Sequence, residues 1–215
     1  MINNDYSSEI EDMCSYLENR YNEQFTVAKL ISDDGELDAP NKAYVHPKGR
    51  EAEWFVVRIE ENKENGTKEY RDGYGFVFVE RSMAMEYQEW LDKIIPSAKM
   101  AVRVWSADEI THFKYDSKVS LDELTMTEND SIGMDATIFV CESQLDVKAE
   151  YREKANKAFN DIPYKDDICE CHLLFINEES FPTFNHQFYK GTGAVEMLFD
   201  GGLAVLAMEV NGNDC

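Results

Sequence analysis

Apolar residues recur at helical spacing in some stretches of the chain and alternate with polar ones in others. Ile10, Met13, Leu17 and Tyr21 form one stripe, which predicts a helix over 7–22, and Ser8 with Glu11 has capping-box spacing. Phe25 to Ile31 predicts a strand, and Lys42 to His46 a shorter one ending at Pro47. The clearest alternation lies at 52–61. Phe55, Val57 and Ile59 share one face there, and Trp54, Val56 and Arg58 the other. Asn65-Gly66 marks a tight turn. A return strand is expected over 68–79, with Tyr70, Asp72, Tyr74, Phe76 and Phe78 on one face and a bulge at Gly73 and Gly75.

A second helix is expected over 83–95, capped by Ser82, lined by Met83, Tyr87, Trp90, Leu91 and Ile94, and stopped by Pro96. Met100 to Ser106 reads as a strand. Residues 107–134 are polar and irregular, which suggests a connection between a region at 1–106 and another at 135–215, with one continuous domain as the alternative. The second region begins with a strand at Ala136 to Cys141. A helix capped by Asp146 follows over 147–160, with Glu150–Lys154 and Glu153–Lys157 as supporting pairs. Strands are expected over 168–176, 183–189, 194–199 and 203–210, the last two joined as a hairpin by Asp200-Gly201-Gly202. The fold class this implies is α+β, a mainly antiparallel sheet with about three helices packed on one side.

Composition sharpens the picture. The 215 residues are 43% hydrophobic and 12% aromatic, which is a folding composition, and they carry a formal charge of −22. No basic stripe is visible in the sequence, so neither a nucleic acid nor an anionic membrane surface is an expected partner. A basic protein is. No apolar run reaches 18 residues, the length that suggests a membrane span. Met1-Ile2-Asn3-Asn4-Asp5 lacks the basic and apolar regions of a secretory leader, so the expected location is the cytoplasm, with a removed leader as the alternative. Cys14, Cys141, Cys169, Cys171 and Cys215 are odd in number and irregular in spacing, which favours free thiols over a disulfide framework.

Few residues suggest chemistry. Cys169-Glu170-Cys171-His172 is the densest cluster, but a zinc site needs four ligands and no second ligand pair exists. Alternation places Cys169 and Cys171 beside Leu173 and Phe175, where small buried hydrophobes belong. A thiol hydrolase would need Cys141 or Cys169 brought to His172 or His186, and no nucleophile elbow supports it. The other histidines are His46 and His112. Adjacent carboxylates at Glu60-Glu61, Asp166-Asp167 and Glu178-Glu179 would face apart on strands. Asp33-x-Gly35-x-x-Asp38 and Glu128-Asn129-Asp130 lack the closing Glu of a calcium loop. Gly191-Thr192-Gly193 fits a turn better than a phosphate loop. No catalytic, cofactor-binding or metal-ligating residue is therefore assigned. Aromatic density at Trp54, Tyr70, Tyr74, Trp90, Trp105, Phe181, Phe184, Phe188 and Tyr189 leaves room for an exposed protein-binding patch.

Two runs carry a resemblance. Tyr16-Leu17-Glu18-Asn19-Arg20-Tyr21-Asn22-Glu23-Gln24-Phe25 is followed, after Trp54-Phe55-Val56-Val57, by Tyr70-Arg71-Asp72-Gly73-Tyr74. This order resembles small, uncharacterised α+β proteins of Gram-positive bacteria, in which a "YLEEKYGEEF"-like helix end precedes a "D-x-Y" strand. Asn22 stands where that pattern often has Gly, and Gly73 where it often has Asn. The lipobox that many of those proteins carry is absent here. The resemblance covers the first half of the chain and implies an α+β fold with a helix on a curved antiparallel sheet. It implies no activity.

The expected function is that of a soluble, acidic interaction protein without catalytic activity, meeting a basic protein in the manner of an inhibitor or immunity protein. The alternatives are a thiol-dependent hydrolase with a dispersed Cys/His site and a secreted, cation-binding envelope module.

Overall fold

The structure is a computed structural model that describes residues 6–32, 40–61, 66–106, 119–120, 122–123, 132–161, 168–184, 186–188 and 193–210. The acidic loops at 33–38 and 128–130, Asp166-Asp167, Gly191-Thr192, His112, Tyr189, Cys215 and the Cys169 and Phe188 side chains lie outside the described residues. The chain divides into two compact units. One comprises residues 1–78 and 108–119, and the other 79–107 and 120–215.

In the first unit, α1 (Ser7–Tyr21) precedes four strands. These are β1 (Phe25–Ile31), β2 (Lys42–Pro47), β3 (Phe55–Glu61) and β4 (Lys68–Asp72), paired antiparallel in that order. Alternation is legible in the burial. Ala43, Val45, Phe55 and Val57 are buried on one face, against Met13 and Leu17 of α1. The expected capping box does not form: Tyr6 is the N-cap residue and no side chain bonds there. At the other end Asn22 takes the left-handed conformation (φ 53°), and its amide donates to the Glu18 carbonyl, which stops the helix.

The expected strand over 68–79 ends at Asp72, and α2 begins at Tyr74 and runs to Ile94. The run Tyr74-Gly75-Phe76-Val77-Phe78-Val79 is apolar throughout, so periodicity cannot separate strand from helix. Asp72 decides it, because its carboxylate accepts the Tyr74 amide at 3.1 Å and caps the helix. Ser82 is accordingly an exposed mid-helix residue rather than a cap. Met83, Tyr87 and Leu91 are buried as their spacing predicts, and Pro96 follows the end.

The second unit takes α2 from Val79 onward and a sheet ordered β5 (Lys99–Ser106), β6 (Ile132–Cys141), β7 (Ile168–Ile176), β8 (Ala204–Val210). β6 and β7 run parallel, and the other pairs run antiparallel. A parallel pair needs a crossover, and α3 (Lys148–Asp161) supplies it after a 3-10 turn at Glu142–Val147. Both faces of this sheet are covered. Tyr87, Leu91, Met100, Ile138, Ala158, Phe159 and Cys171 surround a small apolar cavity on one side. Ala101, Phe139, Leu174 and Ile176 pack with Phe184, Leu198 and Ala204 on the other. Double coverage explains why Gly133 to Val140 are all buried instead of alternating. Gly133 has a reason to be glycine: a Cβ there would lie 2.3 Å from the ring of its cross-strand partner Trp105.

Two expected strands are not strands. Thr183 ends a 3-10 turn at Phe181–Thr183 and residues 186–188 form another at His186–Phe188, while 185 and 189 lie outside the described residues; 194–199 belong to a helix, α4 (Gly193–Asp200). Val195 and Leu198 stand three apart on its packed side. Asp200-Gly201-Gly202 closes that helix instead of a hairpin, with the Leu203 amide donating to the Leu198 carbonyl at 2.9 Å. The class is α+β, with four α-helices among the described residues. None of these is long and apolar enough to cross a membrane.

Candidate functional site

The densest polar cluster gathers the two runs that carry the resemblance. The last turns of α1 project Tyr16, Arg20 and Tyr21 toward the end of β4. There Asp72 is fully buried. Its Oδ1 accepts the Tyr21 hydroxyl at 2.6 Å and the Tyr74 amide at 3.1 Å. Its Oδ2 accepts the Tyr16 hydroxyl at 2.8 Å and faces the Arg20 guanidinium at 3.4 Å. Arg20 also donates to the Tyr16 oxygen at 2.6 Å and lies over the Tyr16 and Tyr21 rings. A second knot adjoins. The Tyr74 hydroxyl donates to Glu23 at 2.7 Å, and Arg50 donates to the Tyr74 oxygen at 3.0 Å and pairs with Glu23 and Glu53. Rings of Tyr21, Phe25, Phe55 and Phe78 enclose Tyr74 at centroid distances of 4.7–5.1 Å.

This arrangement holds the fold and leaves little for chemistry. A carboxylate offers about four lone-pair sites, and Asp72 has three hydrogen-bond donors on them with the Arg20 guanidinium paired alongside. Burial, then the Asp72 charge, pushes the Tyr16 phenol up to about 12, and the same causes push Tyr21 further. Both phenols stay protonated at neutral pH and act as donors.

The second polar cluster lies on the sheet of the other unit. Parallel register sets Asp135 beside Glu170 and Thr137 beside His172, and Glu209 pairs with His172 from β8. Asp135 and Thr137 are buried, and Asp135 accepts the Trp105 indole N–H at 3.2 Å. His172 Nε2 lies 3.9 Å from Glu170.

Among the described residues, no thiol joins either cluster. Cys171 is the neighbour of His172 on β7 and therefore faces the opposite side. It lies in the apolar core, where burial pushes its thiol up to about 12. Cys14 is also raised, by burial and then by Glu18. Cys141 pairs with Ile176 while His172 pairs with Thr137, so thiol and imidazole stand four residues, about 13 Å, apart along the ladder. The Cys141 sulfur accepts the Ser143 hydroxyl at 3.2 Å. His186 is pressed against Phe139 and Gln187, and burial followed by the Lys99 charge lowers it to about 4. His46 is buried and faces the Pro47 carbonyl at 2.9 Å. No group of three or more His, Cys, Asp or Glu among the described residues is arranged to hold a metal ion.

Tyr16, Arg20, Tyr21, Asp72 and Tyr74 stand in two separate runs of the sequence, and only the fold brings them together. The signal was the spacing of the first three on one helical side, followed by an Asp ahead of an apolar run.

The class these features define is an α+β protein whose buried polar groups join helices to sheets. A crystal structure of a DUF5037 family protein from Ruminococcus gnavus has a similar fold. The match has a TM-score of 0.59 and 13% sequence identity, and it covers 96% of this chain and 92% of that one. Ruminococcus gnavus is a Gram-positive bacterium, and the likeness concerns the fold. No family model matches the sequence, and no curated protein matches it.

Proposed function

We propose that this chain acts by binding, without catalysis, and that its acidic surface meets a basic protein partner as an inhibitor or immunity protein would. The observation that carries this reading is the saturation of Asp72. The best-assembled polar cluster in the described residues spends its donors and acceptors on one another. The raised thiols of Cys14 and Cys171 favour it further, because a nucleophilic cysteine needs a lowered pKa. The charge of −22 supplies the attraction, accelerating encounter with a basic surface and making it salt-dependent.

The test has two arms. Immobilised full-length chain is exposed to cytoplasmic extract of the source organism at low and at high salt. A basic protein retained stoichiometrically at low salt and released at high salt is expected; retention of nothing at either condition contradicts the reading. In parallel, iodoacetamide labelling of the folded protein at pH 6 is expected to find no cysteine faster than a free thiol. One that reacts faster would restore the thiol-hydrolase alternative.

A further inference from the structure

The two edges of the second unit's sheet are finished differently. At β5, Glu80 accepts the Val104 amide, Gln88 accepts the Met100 amide, and Gln187 donates to the Met100 carbonyl. At β8, the opposite edge, no side chain among the described residues bonds to residues 204–210. Register splits that strand into two faces. Leu206, Met208 and Val210 pair with Phe175, Leu173 and Cys171 on the side of the small apolar cavity, and Leu206 and Met208 are only half-buried. Ala207 and Glu209 pair with Leu174 and His172 on the α4 side. Val205 has no cross-strand partner, so a bulge confines the straight run to 206–210. Of the six large hydrophobic side chains exposed among the described residues, three, Met197, Phe199 and Val205, lie on α4 and β8. Charge there has one sign. Residues 193–210 include Glu196, Asp200 and Glu209, all exposed, and no Lys, Arg or His. His172 stands beside Glu209, but its ion contact is with Glu170 at 3.9 Å.

An open edge strand offers a row of amides and carbonyls to which another chain can pair. Resting on the basic partner proposed above, we infer that this edge is where that partner docks. An extended segment of it adds to the sheet as a fifth strand along residues 206–210, with a Lys or Arg opposite Glu209 and apolar side chains against Leu206 and Met208. Strand addition draws affinity from main-chain bonds and specificity from alternate side chains. The alternation of β8 therefore dictates the partner's pattern, with apolar residues toward the cavity side and basic ones toward α4. Opposite charges directly across a strand pair stabilise it. A second copy of this chain fits less well. It would set a second Glu196, Asp200 and Glu209 against the first, between chains that each carry a charge of −22, and like-charge contacts are penalised at interfaces.

The probe is a fluorescein-labelled peptide of alternating Lys and Val, read by fluorescence anisotropy on the full-length chain at physiological salt. Its control is the same peptide N-methylated at every internal residue, which keeps the charges and loses the amides. The wild type is expected to bind the first peptide, and to bind the control at least about tenfold more weakly, because main-chain bonds carry strand addition. E209K should bind the first peptide at least about tenfold more weakly than the wild type, and E209Q should lie between, both with unchanged circular dichroism spectra. Hydrogen exchange of the β8 amides should slow on binding, while that of the β5 amides stays the same. Equal affinity for the two peptides, or unchanged exchange along β8, overturns the docking edge. Where such binding still weakens with salt, the attraction of a basic partner to the acidic surface stands without it. Binding of neither peptide, even at low salt, overturns the edge and counts against the basic partner as well. A wild-type dimer in sedimentation velocity that E209K alters also overturns the proposal, because the edge would then belong to a second copy.

Discussion

Each unit buries carboxylates beside helix α2, but it uses them differently. In the first, Asp72 is gripped by two phenols and a guanidinium from α1, more than 50 residues away for Tyr16 and Tyr21, and by the amide that opens α2. In the second, Glu80 of α2 accepts the Val104 amide at 3.0 Å, and Gln88 accepts the Met100 amide at 2.9 Å. β5 is an edge strand, and these side chains stand in for the strand it lacks. One unit thus ties elements together through a shared polar centre, while the other satisfies backbone groups one at a time. Cooperativity should differ accordingly: losses around Asp72 are coupled, and losses along β5 are independent.

The largest expected effect is in the first unit. Tyr16→Phe with Tyr21→Phe should cost about 3 kcal/mol of unfolding free energy, because both hydrogen bonds end on a charged group. The two single variants should not sum to the double, which urea titration can establish. Glu80→Ala strands a buried amide and should cost about 1–3 kcal/mol, and Gln88→Ala about 1 kcal/mol. Here the double variant should equal the sum, and strong coupling would erase the contrast between the units.

Two pH dependences of smaller size separate the units further. The phenols of Tyr16 and Tyr21 are raised in the fold, so their contribution is complete below pH 10, the ordinary tyrosine value. It is lost as pH climbs toward and past about 12 for Tyr16. Tyr21→Phe should therefore blunt alkaline unfolding of the first unit. His186 is lowered, from 6.5 to about 4, so the unfolded chain holds more protons between those values and stability falls as pH drops through them. Replacing it by Gln should reduce that acid loss by about 1 kcal/mol, allowing for solvent screening at a half-buried ring. A profile unaltered by the substitution would remove His186 from the account.

The contrast also marks what was legible in the sequence. β1, β2, β3, β5, β7 and β8, the later part of α2, and α3 follow from alternation and stripes, because each has one face that differs from the other or a clear flanking break. Tyr74–Val79 and Ala194–Phe199 were misread as strands. Short apolar runs carry no period, and the deciding bond, Asp72 to the Tyr74 amide, crosses from one assumed element to the next. The polar centre was half legible. Its residues stood in two conspicuous runs, but their convergence depends on how α1 lies against β4. The alignment of Lys42, Arg58 and Arg71 across β2, β3 and β4 was not legible at all, since these residues meet only through the register of three strands.

The central claim is that the buried polar groups were selected to hold this fold and that function lies on its surface. Groups kept for chemistry are commonly a burden on stability, and removing them often raises it. Equilibrium urea unfolding of Asp72→Asn measures the sign directly. A loss of about 2–3 kcal/mol is predicted, because the carboxylate's three hydrogen-bond donors and the Arg20 guanidinium lose their charged partner. A variant as stable as the wild type, or more so, would mark Asp72 as a residue retained for reaction and contradict the account.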